Sequence, residues 1–391
     1  MPPRSQNERA SSSAGLAELV APHLRELSPY VPGRAIAEIE REFGLESVIK
    51  LASNENPLGM SPKAGEAYVA AAAEMHRYPE GGCPDLQQAL AKFHAIDADR
   101  ILLGNGSNEV LTLLARLFLS PGDEVVVSDG AFAIYALSAK AQGADVVSVA
   151  APAYTHDPLA MVDAVSVRTK ILYLCNPNNP TGTMFGRDVW EKFLDTVPRD
   201  ILVVCDNAYA EYVEEPQFPD AMEDIDRHPG LVVLRTFSKI YGMGGLRIGY
   251  GVGPRWLGDF YHRLRDPFHV NLAAERSAIA ALGDVDHVES SRRVNREGRK
   301  FLRRAMRILG LPALPSETNF LTIEVGDGIA VSEALQRVGV IVRPLGGYGM
   351  PAHIRVSVGL PAENTQFAQS LAALLGFSGS GAPLLRQEEM S

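Results

Sequence analysis

The chain has 391 residues, 46% hydrophobic and 21% charged, enough for a large domain and a smaller one without disulfide or metal support. A formal net charge of -10 argues against a nucleic-acid binder with a basic face, while a local arginine cluster could still hold an anionic substrate. The three cysteines, Cys83, Cys175 and Cys205, lack metal-ligand spacing and read as reduced thiols of a cytoplasmic protein.

Residues 1–15 are polar and rich in Ser and Arg, without the apolar stretch of a secretory signal. No run approaches the roughly 20 apolar residues of a membrane span. Residues 1–20 are expected to be disordered and 378–391 a flexible tail. Short Val- and Ile-rich runs then alternate with helical patterns. The runs are 100–103, 124–128, 145–150, 170–175, 200–205, 231–235 and 247–252. Several are apolar throughout, as in strands covered by helices on both faces. This predicts an α/β domain with a largely parallel sheet. Cys175 and Cys205 end two of the runs and are expected to be buried.

Four segments between these runs carry polar chemistry. Gly-Asn-Gly-Ser-Asn-Glu at 104–109 precedes an apolar helical pattern at 110–119, so its backbone N–H groups could bind phosphate at a helix start. It lacks the third glycine of a dinucleotide fingerprint. Asn-Pro-Asn-Asn-Pro-Thr-Gly at 176–182 follows a strand, where open α/β sheets bind ligands; a plain turn is the alternative. Asp206 and Tyr209 follow the next strand, and a helix N-cap is the simpler role for the acid.

The fourth segment, 235–249, puts Lys239 in a Ser- and Gly-rich turn after a buried strand. Lysine is rarely buried without a partner. Gly242, Gly244 and Gly245 let backbone approach a bulky ligand, and Thr236, Ser238 and Arg247 could hold a phosphate. Alone, the segment also reads as a surface turn. Three strand ends presenting Asn179, Asp206 with Tyr209, and Lys239 are harder to explain as turns.

From about 272 the pattern changes. An Arg-rich helical stretch at 287–309, strand-like runs at 319–324, 339–343 and 353–358, and a helix at 361–375 read as a smaller α+β domain.

Together these segments resemble the fold-type I pyridoxal-phosphate aminotransferases, and most closely the histidinol-phosphate aminotransferase family. The resemblance runs from about 30 to about 375. It rests on Lys-Leu-Ala-Ser-Asn-Glu-Asn-Pro at 50–57, Arg-Tyr-Pro at 77–79, 104–109, 131–135, 176–182, 235–249, Val-Arg-Pro at 342–344 and His-Ile-Arg-Val-Ser-Val-Gly at 353–359. It implies a large domain at 51–272 with a mostly parallel seven-stranded sheet, a small domain at 273–377, and an N-terminal arm at 21–50 joining the latter.

By the same resemblance, Lys239 binds pyridoxal 5'-phosphate as a Schiff base. Asp206 pairs with the ring nitrogen. Tyr209 and Asn179 bond its phenolic oxygen, and Phe132 stacks on the ring. Ser107, Asn108, Thr236, Ser238 and Arg247 hold the phosphate. Tyr78 resembles the tyrosine that reaches the phosphate of the neighbouring subunit, which implies a homodimer. Arg355 anchors the substrate's anionic end, while Arg343 and Tyr30 match positions that bind the phosphate of histidinol phosphate.

The implied reaction is transamination of histidinol phosphate with 2-oxoglutarate, in histidine biosynthesis. Phenylalanine, tyrosine or a specialised metabolite is the alternative amino substrate, and the related threonine-phosphate decarboxylases offer a different outcome on the same cofactor. A non-catalytic protein on this scaffold would be expected to lack Lys239, Asp206 or Arg355. The chain departs from the family pattern at Asn207, where Glu is usual, in the stretch Lys-Ile-Tyr-Gly-Met-Gly-Gly at 239–245, which has Ile and Gly where Ala is more usual, and at 81–83.

Overall fold

The computed structural model describes residues 16–29, 32–377 and 387. Tyr30 and most of the segments 1–20 and 378–391 lie outside the described residues.

The chain reaches the folded body through β1 (Ile49–Lys50) and then builds a seven-stranded sheet. Its strands are β2 (Ile101–Gly104), β3 (Glu124–Ser128), β4 (Asp145–Val149), β5 (Thr169–Cys175), β6 (Leu202–Asp206), β7 (Leu231–Thr236) and β8 (Gly249–Val252). Their order is β2-β8-β7-β6-β5-β3-β4. β8 runs antiparallel to both neighbours, and the other pairs are parallel. The predicted mostly parallel, seven-stranded α/β sheet is the observed one.

The continuous apolar runs arise because both faces are covered. Alternate residues point to opposite sides of a strand. Leu172 and Leu174 of β5 pack on one side with Trp190 and Phe193 of the helix Arg187–Thr196. Ile171, Tyr173 and Cys175 pack on the other with Val110, Leu111 and Leu114 of the helix Ser107–Phe118. All three cysteines are buried; Cys175 and Cys205 lie in strands as expected, while Cys83 precedes the helix Pro84–His94.

Two strand starts sit two residues later than the apolar patterns suggest. Asp206 is the last residue of β6 rather than the first of a loop. Arg247, read as the start of a strand, has φ 59 and lies before β8. Its left-handed backbone breaks the extended run while its side chain turns toward the sheet end.

The remaining strands are β9 (Phe320–Glu324), β10 (Val340–Ile341), β11 (Arg343–Pro344) and β12 (His353–Ser357). The single strand expected at 339–343 is two short ones in different sheets. β10 pairs in parallel with β1, and β11 pairs antiparallel with β12, which pairs with β9. A third apolar cluster joins Phe301, Leu302 and Met306 of the helix Val285–Ile308 to Leu321, Val356 and Phe367.

Gly242 and Gly245 do not serve the role assigned to them from sequence. Gly242 has φ 69, and a Cβ there would stand 1.9 Å from the carbonyl oxygen of Gly59, so it permits a backbone crossing rather than a ligand contact. Gly245 would meet nothing within 4 Å, and only Gly244 lines the central cavity. Gly242→Ala is therefore expected to lower stability by about 2–4 kcal/mol and Gly245→Ala to change it by less than ~0.5 kcal/mol, as read by urea unfolding. Equal effects of the two substitutions would contradict the crossing.

Candidate active site

The carboxyl ends of β5, β6 and β7 open into a cavity of about 290 Å³. The segments after these strands pack with one apolar cluster, including Trp190, Tyr212 and Ile240, whereas the helix after β3 packs with the other through Tyr135 and Ala139, so the chain parts between β3 and β5 and leaves a crevice. Cys175 and Asn179 come from the end of β5, Asp206 and Tyr209 from β6, and Thr236, Ser238 and Lys239 from β7. Ser107, Asn108, Phe132, Arg247, Arg343 and Arg355 complete the wall. Among the described residues, the cavity thus gathers every site residue expected from sequence except Tyr78, while Tyr30 lies outside them.

Asp206 is 5% exposed and carries two internal hydrogen bonds. Tyr135 donates to Oδ2 at 2.8 Å and the backbone N–H of Ala208 to Oδ1 at 3.1 Å. The second bond is a local turn contact and not the helix cap considered from sequence, since Asp206 ends β6 and the short helix Ala210–Tyr212 has Tyr209 at its N-cap. Burial still raises the pKa of Asp206 above its ordinary value, and the Tyr135 and Ala208 bonds only partly oppose it. A carboxylate so placed is stabilised by a cation or a shared proton.

Lys239 Nζ donates to the carbonyl oxygen of Ser53 at 3.4 Å and stands 5.7 Å from the centre of the Tyr209 ring. Its pKa is lowered from 10.5 to about 8, first by burial and next by the charge of Arg355. The amine can therefore be neutral near physiological pH, as a nucleophile or base must be. Burial raises the Tyr209 phenol, whose oxygen accepts a 2.8 Å hydrogen bond from Asn54 Nδ2.

The helix Ser107–Phe118 starts at the cavity. Gly106 precedes it with no side-chain cap, so first-turn N–H groups face the site. Gly104 and Gly249 are register partners at the adjoining edge of the sheet. A Cβ on Gly249 would lie 2.4 Å from the Ser107 nitrogen, and one on Gly106 2.4 Å from Arg247 Nη2. These glycines let the helix start, the β7 hydroxyls and a guanidinium converge, a donor set that suits a phosphate dianion.

A second cationic wall lies on the smaller sheet. Arg355 donates to the carbonyl oxygen of Ala52 at 2.7 Å and to Asn179 Oδ1, and its guanidinium stands 5.2 Å from the Phe320 ring. Arg343 is its register partner across β11 and β12, and both line the cavity. The two guanidinium groups thus share one wall of the cavity.

A profile of the family "Aminotransferase class I and II" matches residues 46–371. The chain belongs to this family. It is 48% identical over 360 residues to histidinol-phosphate aminotransferase 2 of Pseudomonas aeruginosa, covering 91% of this chain and 98% of that protein. It is 47% identical over 355 residues to the histidinol-phosphate aminotransferase of Symbiobacterium thermophilum, covering 90% and 98%. The crystal structure of histidinol-phosphate aminotransferase from Sinorhizobium meliloti in complex with pyridoxal-5'-phosphate superposes with a TM-score of 0.84 at 27% identity, covering 92% and 98%.

As an aminotransferase, the chain has supporting residues that were not singled out from its sequence. Tyr135 follows Phe132 by three residues, one helical turn, which is the signal that could have found it; it bonds Asp206 and stacks on Tyr173 at 5.0 Å. Asn54 sits within the recognised 50–57 stretch, but its role depends on a contact 155 residues away in sequence. The departure at Asn207 is fully buried; its Nδ2 donates to the carbonyl oxygen of Asn176 at 2.7 Å and ties β5 to β6. Tyr78 is 83% exposed and stacks on Phe268 at 4.9 Å, away from this cavity.

The lowered pKa of Lys239 has a consequence for stability. Between pH 8 and 10.5 the unfolded chain holds a proton on this amine that the folded chain has lost, so stability rises with pH across that window. Below it, the folded protein carries the full cost. Cofactor-free Lys239→Met should be more stable than the cofactor-free native protein by about 1–2 kcal/mol at pH 7. The gap should close as pH rises through the window, measured by urea unfolding. A native protein at least as stable as the variant at pH 7 would contradict the buried amine.

Proposed function

We propose that this protein is a pyridoxal-phosphate-dependent transaminase of L-histidinol phosphate. Its amino acceptor is 2-oxoglutarate, and its products are imidazole-acetol phosphate and glutamate, a step of histidine biosynthesis. The observation that carries the substrate assignment is the register pair Arg343 and Arg355 on the wall of the cavity that contains Lys239. A phosphate monoester carries close to two negative charges and matches two guanidinium groups. The names of the similar proteins support the same reading.

The residues fit the cofactor at each of its polar points. Lys239 supplies the amine for covalent attachment, and Asp206 a buried carboxylate for the ring nitrogen. Tyr209 and Asn179, which line the same cavity, would donate to the phenolic oxygen, and Phe132 would supply a ring to stack. Ser107, Asn108, Thr236, Ser238 and Arg247 form the phosphate cradle. Pyridoxal phosphate, when bound, supplies a carbonyl that condenses with amines and a ring that delocalises the electrons left when a substrate carbon loses its proton.

The chain's own groups do the rest. Arg355 and Arg343 orient the substrate by its anion. Lys239 Nζ would take up and return the proton at the substrate's amino-bearing carbon, and its lowered pKa suits an amine that must both hold and release a proton. Asp206 would hold the ring nitrogen, and Tyr135 keeps Asp206 in place. Tyr30 is assigned to closure over the substrate phosphate.

The working form proposed is a homodimer in the cytoplasm. An exposed Tyr78, stacked on a Phe268 that is itself 43% exposed, supports a role at the neighbouring subunit's phosphate. Among the described residues no helix is long and apolar enough to cross a membrane. We place a large domain around the seven-stranded sheet and a small one around β9 and β12, but the helix Leu272–Leu282 packs with the large-domain cluster, which argues for a boundary after it rather than at 272; Ile39 and Val48 of the arm pack with Ile341 of the small domain.

Steady-state transamination with 2-oxoglutarate tests the substrate. The kcat/KM for histidinol phosphate should exceed that for phenylalanine or tyrosine by roughly 100-fold, and Arg343→Ala should reduce the histidinol phosphate value by at least ~10-fold more than the phenylalanine value. Equal or greater turnover of the aromatic amino acids would overturn this assignment in favour of the aromatic one.

A further inference from the structure

We propose that Glu55 sets substrate selectivity in this site, its carboxylate accepting the ring N–H of the imidazole carried by the amino substrate. The inference rests on the histidinol-phosphate reading above.

Residues 52–55 cross the cavity, and each touches a different functional group. The carbonyl oxygen of Ala52 accepts from Arg355 at 2.7 Å, and that of Ser53 from Lys239 at 3.4 Å. Asn54 donates to the Tyr209 hydroxyl at 2.8 Å. Glu55 comes next and lines the same cavity.

The segment is held on both sides of Glu55. Asn54 N donates to Ser357 Oγ at 2.8 Å, and Asn319 Nδ2 donates to the Asn54 carbonyl oxygen at 2.9 Å. Asn56 Nδ2 donates to the carbonyl oxygen of Ile240, next to Lys239, at 2.7 Å. Between two asparagines that are 1% and 8% exposed, the Glu55 side chain is 54% exposed. Its backbone is anchored while its carboxylate faces solvent at the cavity. Lys50 Nζ sits 3.0 Å from Oε1. The pairing holds the side chain and leaves Oε2 for a second donor.

The charges around the cavity decide what that donor is. Its cationic groups are Lys239, Arg247, Arg343 and Arg355, and its carboxylates are Asp206 and Glu55. Asp206 lies buried beneath Tyr135. A substrate that is anionic at one end and must place its amino carbon at Lys239 puts its far end elsewhere on the wall. If the arginine pair takes the anion, Glu55 is the remaining charged acceptor for an N–H donor there. Glutamate, the other amino compound of the cycle, has no N–H donor at its far end. Removing the Glu55 charge therefore acts on the two substrates unequally.

Single-turnover half-reactions of the holoenzyme, followed by loss of the cofactor's visible absorbance, give the rate constant for histidinol phosphate divided by that for glutamate. Glu55→Ala should lower this ratio by about 10-fold or more, and Glu55→Gln, which keeps an acceptor oxygen without the charge, should fall between. Ratios within about 2-fold of the native value in both variants, including equal losses on both substrates, would overturn the assignment while leaving the overall reaction intact. A native enzyme that reacts with glutamate but ignores histidinol phosphate would instead remove the substrate reading and, with it, this inference.

Discussion

Lys239 and Asp206 share one cavity and are not bonded to each other. Lys239 donates to a backbone carbonyl, while Asp206 is occupied by Tyr135 and the Ala208 N–H. In a closed interior, opposite charges left apart in this way are unfavourable, and burial moves both pKa values toward the neutral forms. The arrangement is intelligible when a third, polar group belongs between them. The glycines around Ser107 and Arg247, the buried strand ends and the loops that part above them all maintain this separation.

The fold was largely legible in the sequence because the sheet is covered on both faces. Seven apolar runs marked seven strands within about two residues, since each strand needs apolar side chains at consecutive positions. The errors fell where the backbone leaves regular geometry for the site. Arg247 looked like strand by composition but takes a left-handed conformation. Asp206 looked like loop because it is charged, yet it ends a strand. The stretch 339–343 hid a switch between two sheets, which periodicity over so few residues cannot reveal.

The site was legible in part, by motif rather than by geometry. Lys239, Asp206 and Asn179 stand at strand ends where ligand chemistry is expected, so their convergence could be anticipated. Tyr135 and Asn54 act through contacts between segments distant in sequence, while Glu55 pairs locally with Lys50 and its interest comes from its place on the cavity wall. Gly242 shows the opposite failure: a glycine beside the reactive lysine invited a ligand-based reading, but a backbone crossing accounts for it. On the substrate side, Arg343 was expected from the family resemblance, and the structure adds its register with Arg355.

Chemistry and selectivity therefore have separate sources in this enzyme. The large sheet brings Lys239, Asp206, Ser107 and Arg247 together, while β11, β12 and the segment 52–55 add Arg343, Arg355 and Glu55 to the same cavity. The central claim is that Lys239 carries the cofactor. Borohydride reduction of the holoenzyme, followed by peptide mass mapping, tests it most directly. The account predicts a phosphopyridoxyl group on Lys239 and loss of that label in Lys239→Ala. A label on another lysine, such as Lys50, or none on any lysine of a cofactor-loaded protein, would contradict it.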